Sequence, residues 1–135
     1  MRSIFVNLPI RDAKATRAFF TALGFGFNAQ FSSDDTLCMK IADNIYAMLL
    51  EEARFRDFIN DDIADTAKTT EVLTCLSCDS RAEVDDMLAK AKAAGAGEWK
   101  PIMDMGPMYG GSFVDPDGHV WELVYMDPSV ILPET

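Results

Sequence analysis

Few side chains in this sequence could carry acid–base or metal chemistry, and Glu122 has the most suitable surroundings. It lies in the run Val120-Trp121-Glu122-Leu123-Val124, whose composition predicts a strand. Val120 and Val124 share its side of that strand, because successive side chains point to opposite faces. A carboxylate among apolar neighbours could act as a general base or accept a hydrogen bond from a ligand.

Histidine and cysteine add little to this chemistry. The one histidine, His119, lies beside a predicted hairpin turn, and we expect it to be a surface or turn residue. A facial triad of two histidines and a carboxylate is therefore impossible within one chain. Cys75 and Cys78 form a C-x-x-C, but an offset of three along a strand points them to opposite faces. We expect packed thiols there rather than a zinc or redox site.

Composition indicates one soluble globular domain over residues 1–135. Hydrophobic residues make up 49% and charged residues 25%, and no apolar run reaches the roughly 18–20 residues of a membrane span. The net charge of -10 argues against nucleic acid or an anionic membrane as a partner, because both would repel the chain. The three cysteines fit a reducing compartment. With no apolar leader, we expect a cytoplasmic protein.

The elements that must position these residues occur twice along the chain. The first copy begins with a predicted strand, Ile4–Ile10, followed by a helix that Asp12 caps and Gly24 ends. The polar pair Asp43-Asn44 then predicts the turn of a β-hairpin.

The second copy repeats that order. A predicted strand over residues 72–78 leads into the capping box Ser80-Arg81-Ala82-Glu83, and Gly95 ends the helix. The pair Asp117-Gly118 predicts the second hairpin turn. Each copy is therefore a βαβββ module.

The two modules cover about residues 1–52 and 71–128, and a connector covers about residues 53–70. Four apolar residues of the connector have helical spacing, which predicts a short amphipathic helix. These residues are Phe55, Phe58, Ile59 and Ile63.

Two such modules resemble the vicinal oxygen chelate superfamily, which includes glyoxalase I, bleomycin-resistance proteins and extradiol dioxygenases. The resemblance lies in residues 5–12, in residues 19–25, and in Asp115-Pro116-Asp117-Gly118-His119-Val120-Trp121-Glu122. Residues 108–113 are similar to a bacterial subgroup labelled predicted lactoylglutathione lyases. The resemblance implies an α+β fold in which both modules form one cupped mixed sheet. It also implies a homodimer.

In the family, the first and last strands of each module supply metal ligands, usually His or Glu. The corresponding positions of this chain carry Phe5, Met48, Leu73 and Glu122. Only Glu122 matches a metal ligand, whereas a catalytic zinc or iron needs at least three N, O or S ligands. We therefore expect no cofactor, with a divalent metal as the alternative.

Further side chains would share the expected ligand site. The candidates for ligand binding are Phe5, Asn7, Tyr46, Met48, Leu73, Cys75, Ser77, Tyr109 and Val124. Tyr109 lies in a stretch rich in methionine and glycine, residues 103–111, which we expect to be a mobile cover or a filler of the core. In a purely structural role, Glu122 would bond a neighbour such as Asn7, Tyr46 or Ser77, or lie near solvent. Trp99 and Trp121 are expected to be packing residues.

These expectations predict a glyoxalase/bleomycin-resistance-like protein without a metal, which binds a small apolar or aromatic molecule in the cup between the modules. The alternative is an enzyme with Glu122 as metal ligand or base. It would be a metal-dependent lactoylglutathione lyase, another lyase, isomerase or dioxygenase of the superfamily, or a metal-free isomerase. A regulatory or structural module without a ligand is the third possibility.

Overall fold

The computed structural model describes residues 1–130. They form two compact units, Met1–Asp65 and the chain from Thr66 onward. Each unit contains one four-stranded mixed sheet with a helix packed against it. No helix within residues 1–130 combines the length and the apolar character needed to cross a bilayer.

The first unit has the sheet order β1-β4-β3-β2, with β1 parallel to β4 and the other pairs antiparallel. Its elements are β1 (Ile4–Ile10), α1 (Ala13–Ala22), β2 (Gly26–Phe27), a 3₁₀ turn (Ala29–Phe31), β3 (Thr36–Ala42) and β4 (Ile45–Glu51). The predicted connector helix is present but short. It comprises α2 (Glu52–Phe55) and a 3₁₀ turn (Arg56–Phe58).

The second unit has the same topology in the order β5-β8-β7-β6. Its elements are β5 (Leu73–Ser77), α3 (Arg81–Ala93), β6 (Met103–Asp104), β7 (Met108–Val114), β8 (Val120–Met126) and a 3₁₀ turn (Pro128–Val130). The predicted βαβββ repeat and α+β class are thereby confirmed. The predicted loop over residues 103–111 is wrong, because β6 and β7 pair as a hairpin there.

Both long helices begin and end where the sequence predicts. The Asp12 carboxylate accepts hydrogen bonds from the amides of Lys14 and Ala15 at 2.9 and 3.3 Å, and Ser80 Oγ accepts one from Glu83 at 3.0 Å. These caps satisfy amides that the first helical turn leaves without backbone partners.

The core of each unit lies between the sheet and its helix. Every second residue of the central strands is buried on that side, as alternation requires. In the first unit these residues are Leu8, Ile10, Leu37, Met39, Ala47 and Leu49; in the second they are Phe113, Trp121 and Leu123. Each large apolar side chain contributes about 1.5–3 kcal/mol by burial. The opposite face of each sheet carries the predicted site residues, and it combines buried side chains such as Leu50 and Val120 with exposed ones such as Phe5 and Leu73.

Candidate functional site

Strand pairing brings most of the predicted site residues into register on one face of each sheet. Phe5 lies opposite Tyr46, and Asn7 opposite Met48. In the second unit three pairs are in register: Leu73 with Val120, Cys75 with Glu122, and Ser77 with Val124. Residues opposite one another on neighbouring strands point to the same face, so the predicted strand phase is confirmed.

Glu122 points away from α3. Gly111 lies opposite Leu123 in the β7–β8 ladder, and a Cβ atom on Gly111 would come within 2.5 Å of Leu88 on α3. Gly111 and Leu123 therefore face the helix. Because neighbours along a strand alternate, Glu122 faces the opposite side. This open face of the second sheet contains the candidate carboxylate.

Glu122 is a half-buried residue between two small polar residues, Cys75 on β5 and Ser112 on β7. Within residues 1–130, no hydrogen bond or ion pair engages it. Two of its expected neighbours are occupied elsewhere: Asn7 Nδ2 donates to the Phe5 carbonyl at 3.1 Å, and the Tyr46 hydroxyl donates to the Asp43 carbonyl at 3.2 Å. The carboxylate is thus able to accept a hydrogen bond from a ligand.

Ser112 was missed in the sequence analysis. The alternation along β7 would have revealed it, since Ser112 lies opposite Glu122. That signal was hidden because residues 103–111 were expected to form a loop.

An exposed aromatic pair occupies the corresponding face of the first unit. The rings of Phe5 and Tyr46 are stacked, with centroids 4.9 Å apart and planes 8° from parallel, and Phe5 is 53% exposed. Asn7 is exposed and Met48 half-buried on the same face. Such a surface can stack on an aromatic ring or pack against an aliphatic group.

The two cysteines of the C-x-x-C differ in environment. Cys75 is exposed and Cys78 buried, and both are free thiols. Partial burial of its sulfur, followed by the charge of Glu122, raises the pKa of Cys75. Burial, followed by the charge of Glu83, raises the pKa of Cys78 to about 11. Thiols held protonated at neutral pH are poor nucleophiles and poor metal ligands.

Tyr109 lies apart from the other candidates. It is opposite Tyr125 in the β7–β8 ladder, on the side that faces α3. Its hydroxyl donates to Asp85 of that helix, and the Arg81 guanidinium lies 4.8 Å above its ring. The hydrogen bond to Asp85 is the main cause that raises the pKa of Tyr109. Tyr109 therefore fastens the hairpin to the helix instead of covering the open face.

A buried carboxylate, Asp115, organises the turn before β8. Its Oδ1 accepts from the amides of Asp117 and His119 at 2.9 and 3.0 Å, and its Oδ2 accepts from Trp121 Nε1 at 3.0 Å. Burial raises the pKa of Asp115, although these hydrogen bonds and the nearby His119 oppose the shift. The motif Asp115–Trp121 is thus a structural support for the strand that carries Glu122. An Asp at the start of a polar turn is a signal for this role.

His119 is buried, which corrects the expected surface position. Its side chain is 2% exposed, and its Nδ1 lies 2.8 Å from Oε1 of Glu71. This contact joins the start of β8 to the segment before β5, which is distant in the sequence. His119 therefore has a structural role rather than that of an acid–base group.

Comparison with known proteins assigns the family. A model of the Glyoxalase/Bleomycin resistance protein/Dioxygenase superfamily matches residues 3–123. The chain belongs to this superfamily. No curated protein matches the sequence.

Several solved structures share the fold. A hypothetical protein from S. aureus is 25% identical, with a TM-score of 0.78 over 93% of this chain and 94% of its own. The bleomycin resistance determinant of transposon Tn5 is 22% identical, with a TM-score of 0.66 over 94% and 99%. The fosfomycin resistance protein FosX from Listeria monocytogenes is 21% identical, with a TM-score of 0.68 over 96% of each chain.

The residues present do not fit the metal expected for many superfamily members. Within residues 1–130, no group of three or more His, Cys, Asp and Glu side chains could hold a metal ion. Of the four positions carried over from the family, Phe5 and Leu73 have no donor atom and Met48 offers only a thioether. Glu122 alone cannot supply the three or four ligands that a catalytic zinc or iron needs.

Proposed function

We propose that this superfamily member binds a small apolar or aromatic molecule on the open sheet face, without a metal, and that Glu122 accepts a hydrogen bond from that molecule. The observation that carries the proposal is that Glu122 is half-buried and that no residue among 1–130 engages its carboxylate. A carboxylate without a protein partner can accept a hydrogen bond from a ligand, and a hydrogen bond to a charged group contributes about 1.5–3 kcal/mol.

The neighbours of Glu122 support an apolar ligand. Leu73 is 51% exposed, and Val124 is half-buried on the same face. Small-molecule sites commonly combine such apolar walls with a few polar groups. Two proteins of similar structure, the bleomycin resistance determinant and the fosfomycin resistance protein, also favour a small molecule.

A ligand screen tests the proposal. Thermal shift with a panel of small aromatic and aliphatic hydrogen-bond donors, with and without chelator, should find compounds that stabilise the protein equally in both conditions. Glu122→Gln should weaken their binding about tenfold or more, since hydrogen bonds to charged groups contribute about 1.5–3 kcal/mol. Glu52→Gln, on α2 of the first unit, serves as the control and should leave binding unchanged. Binding that chelator abolishes, or that Glu122→Gln leaves intact, contradicts the proposal.

An enzyme is the second candidate, and the position of Glu122 favours it. In superfamily enzymes the last strand of a module supplies a metal ligand or a base, and Glu122 on β8 would have that role here. The test is turnover of the hemithioacetal of methylglyoxal and glutathione, measured with and without added divalent metal. Turnover lost in Glu122→Gln, together with about one metal equivalent per chain, would replace the binding proposal with the lyase.

The cytoplasmic location and the homodimer stay predictions. Light scattering of the purified protein and fractionation of cells that express it would test them.

A further inference from the structure

A concave region lies in the second unit, between the C-terminal half of α3, residues 96–102 and β7. Its volume is about 400 Å³, within the range of roughly 300–1,000 Å³ typical of small-molecule sites. Glu122 is not among its lining residues. Six of its residues carry the argument: Leu88, Lys92, Trp99, Lys100, Ile102 and Phe113.

The floor of this pocket is apolar because Gly111 leaves room for two side chains. A Cβ atom on Gly111 would lie 2.5 Å from Leu88 Cδ1 and 2.9 Å from Ile102 Cδ1. Without that atom, both side chains reach the sheet beside Phe113, which is buried. The floor can therefore pack against a ring.

Trp99 stands at the wall of the pocket with 42% of its surface exposed, so the expectation that it is a packing residue is wrong. Its segment is fastened at both ends. Gly97 exchanges two backbone hydrogen bonds of 2.9 Å with Val114, and the Lys100 amide donates to Ser112 Oγ at 3.1 Å. These bonds fix the backbone on both sides of Trp99. The indole ring is therefore held in place while part of its surface stays accessible to a ligand.

Two cations line the same pocket. Neither Lys92 nor Lys100 forms an ion pair with a carboxylate among residues 1–130, whereas Lys90, also on α3, pairs with Asp86 at 2.9 Å. Glu98 also lines the pocket, so the cations exceed the anions there by one. In a chain of net charge -10, such a site favours an anionic group.

We propose that this pocket binds an aromatic carboxylate, with the ring between Trp99 and Ile102 and the carboxylate at Lys92 and Lys100. A stacked ring and two ammonium groups recognise the two ends of such a molecule separately. Ser112 lies at the border of this pocket and the open face, but Glu122 does not line the pocket. On the open face the Glu122 carboxylate would repel the same anion.

Titration with 2-naphthoate tests this proposal, with neutral 2-naphthamide as the matched probe. Two-dimensional ¹⁵N NMR should show the Trp99 indole N–H shifting on addition of naphthoate while the N–H of buried Trp121 stays in place. Lys92→Gln combined with Lys100→Gln should weaken naphthoate binding about tenfold, and so should Trp99→Ala. Lys90→Gln is the control and should leave the affinity unchanged. Naphthamide should bind about tenfold more weakly than naphthoate.

Three results would overturn the proposal: no naphthoate binding at millimolar concentration, equal binding of acid and amide, or an affinity that the double lysine variant does not change. Glu122→Gln separates this site from the proposed function. Naphthoate should bind that variant as it binds the unmodified protein, whatever the fate of the open-face ligand.

Discussion

The hairpin turns of the two units show how one backbone plan can be stabilised in two ways. In the first unit the β3–β4 ladder continues to Ala42 opposite Ile45, with an irregularity between Lys40 and Ala42. The side chain of Asp43 at its turn is exposed, and its carboxylate forms an ion pair with Lys40 at 3.4 Å. In the second unit β7 ends at Val114, and the buried Asp115 carboxylate holds the turn through three hydrogen bonds.

The sheet faces that point away from the helices also differ between the two units, in the side chain found at one equivalent position. Asn7 lies opposite Met48 in the first unit, and Cys75 lies opposite Glu122 at the equivalent point of the second. Strand pairing is therefore preserved between the copies, while Glu122 places a carboxylate where the first unit has the thioether of Met48. The turn held by Asp115 precedes β8 directly, so the unit that carries the candidate carboxylate also has the more firmly supported hairpin.

The largest expected effect is the loss of the Asp115 carboxylate. Asp115→Ala leaves two amides and the Trp121 indole N–H without their acceptor, and each buried unsatisfied group costs about 1–3 kcal/mol. We expect the free energy of unfolding to fall by about 3 kcal/mol or more in urea denaturation followed by circular dichroism. Asp43→Ala, at the exposed turn of the first unit, should change it by about 0.5 kcal/mol or less.

Asp115→Asn refines this comparison. The amide oxygen can still accept from the backbone, but the amide nitrogen would face the Trp121 N–H, so the loss should lie between those of Asp115→Ala and Asp43→Ala. Equal stabilities of the Asp115→Ala and Asp43→Ala variants would show that the buried network does not support the turn.

A smaller effect is expected when the open faces are made alike. Glu122→Met gives the second unit the residue that the first carries at the equivalent position, Met48. Removing a half-buried carboxylate without a protein partner should raise the free energy of unfolding by about 0.5–1 kcal/mol. The same variant should lose the open-face ligand, as measured by thermal shift.

Met48→Glu is the reverse exchange and should lower stability by a similar amount. A Glu122→Met variant that is less stable than the unmodified protein would mean that the carboxylate has a structural role, and the comparison between the two faces would then fail.

Alternation along the strands was enough to predict which side chains share a face. Glu122, Phe5 and Met48 all lie where a period of two places them. Local patterns could not show which polar side chains are buried. Asp115 and His119 lie in a turn that looks solvent-exposed, and their burial depends on Trp121 and on Glu71, the latter 48 positions before His119 in the sequence.

The hairpin of β6 and β7 was missed for a related reason. Its strands are rich in methionine and glycine, which have little preference for extended structure. Arg81 holds this hairpin through two hydrogen bonds to the Asp104 carboxylate, at 2.9 and 3.0 Å. An ion pair between α3 and β6 is a nonlocal contact that neither segment predicts alone.

The smallest expected effect concerns how each helix holds its edge strand. In the first unit the guanidinium of Arg17 on α1 lies 4.8 Å above the Phe27 ring of β2, a contact without a titrating partner. In the second unit the hydrogen bond from Arg81 is the main cause that lowers the pKa of Asp104 on β6. A lowered carboxyl pKa gives stability that is present above the ordinary value near 3.8 and is lost as the pH falls through the folded-state value. We therefore expect only the second edge strand to loosen in acid.

Amide hydrogen exchange, corrected for the intrinsic effect of pH, measures this difference at the two edges. Below pH 3.8, protection should fall at Met105, whose amide bonds the Met108 carbonyl at 2.8 Å. It should stay constant at Asn28, whose amide bonds the Cys38 carbonyl next to β2. Asp104→Asn should remove the pH dependence at Met105, because no titrating group then faces Arg81. Protection that falls equally at both edges, or that persists at Met105 in acid, would show that the Arg81–Asp104 ion pair does not hold β6. The two edge strands would then not differ in how their helices support them.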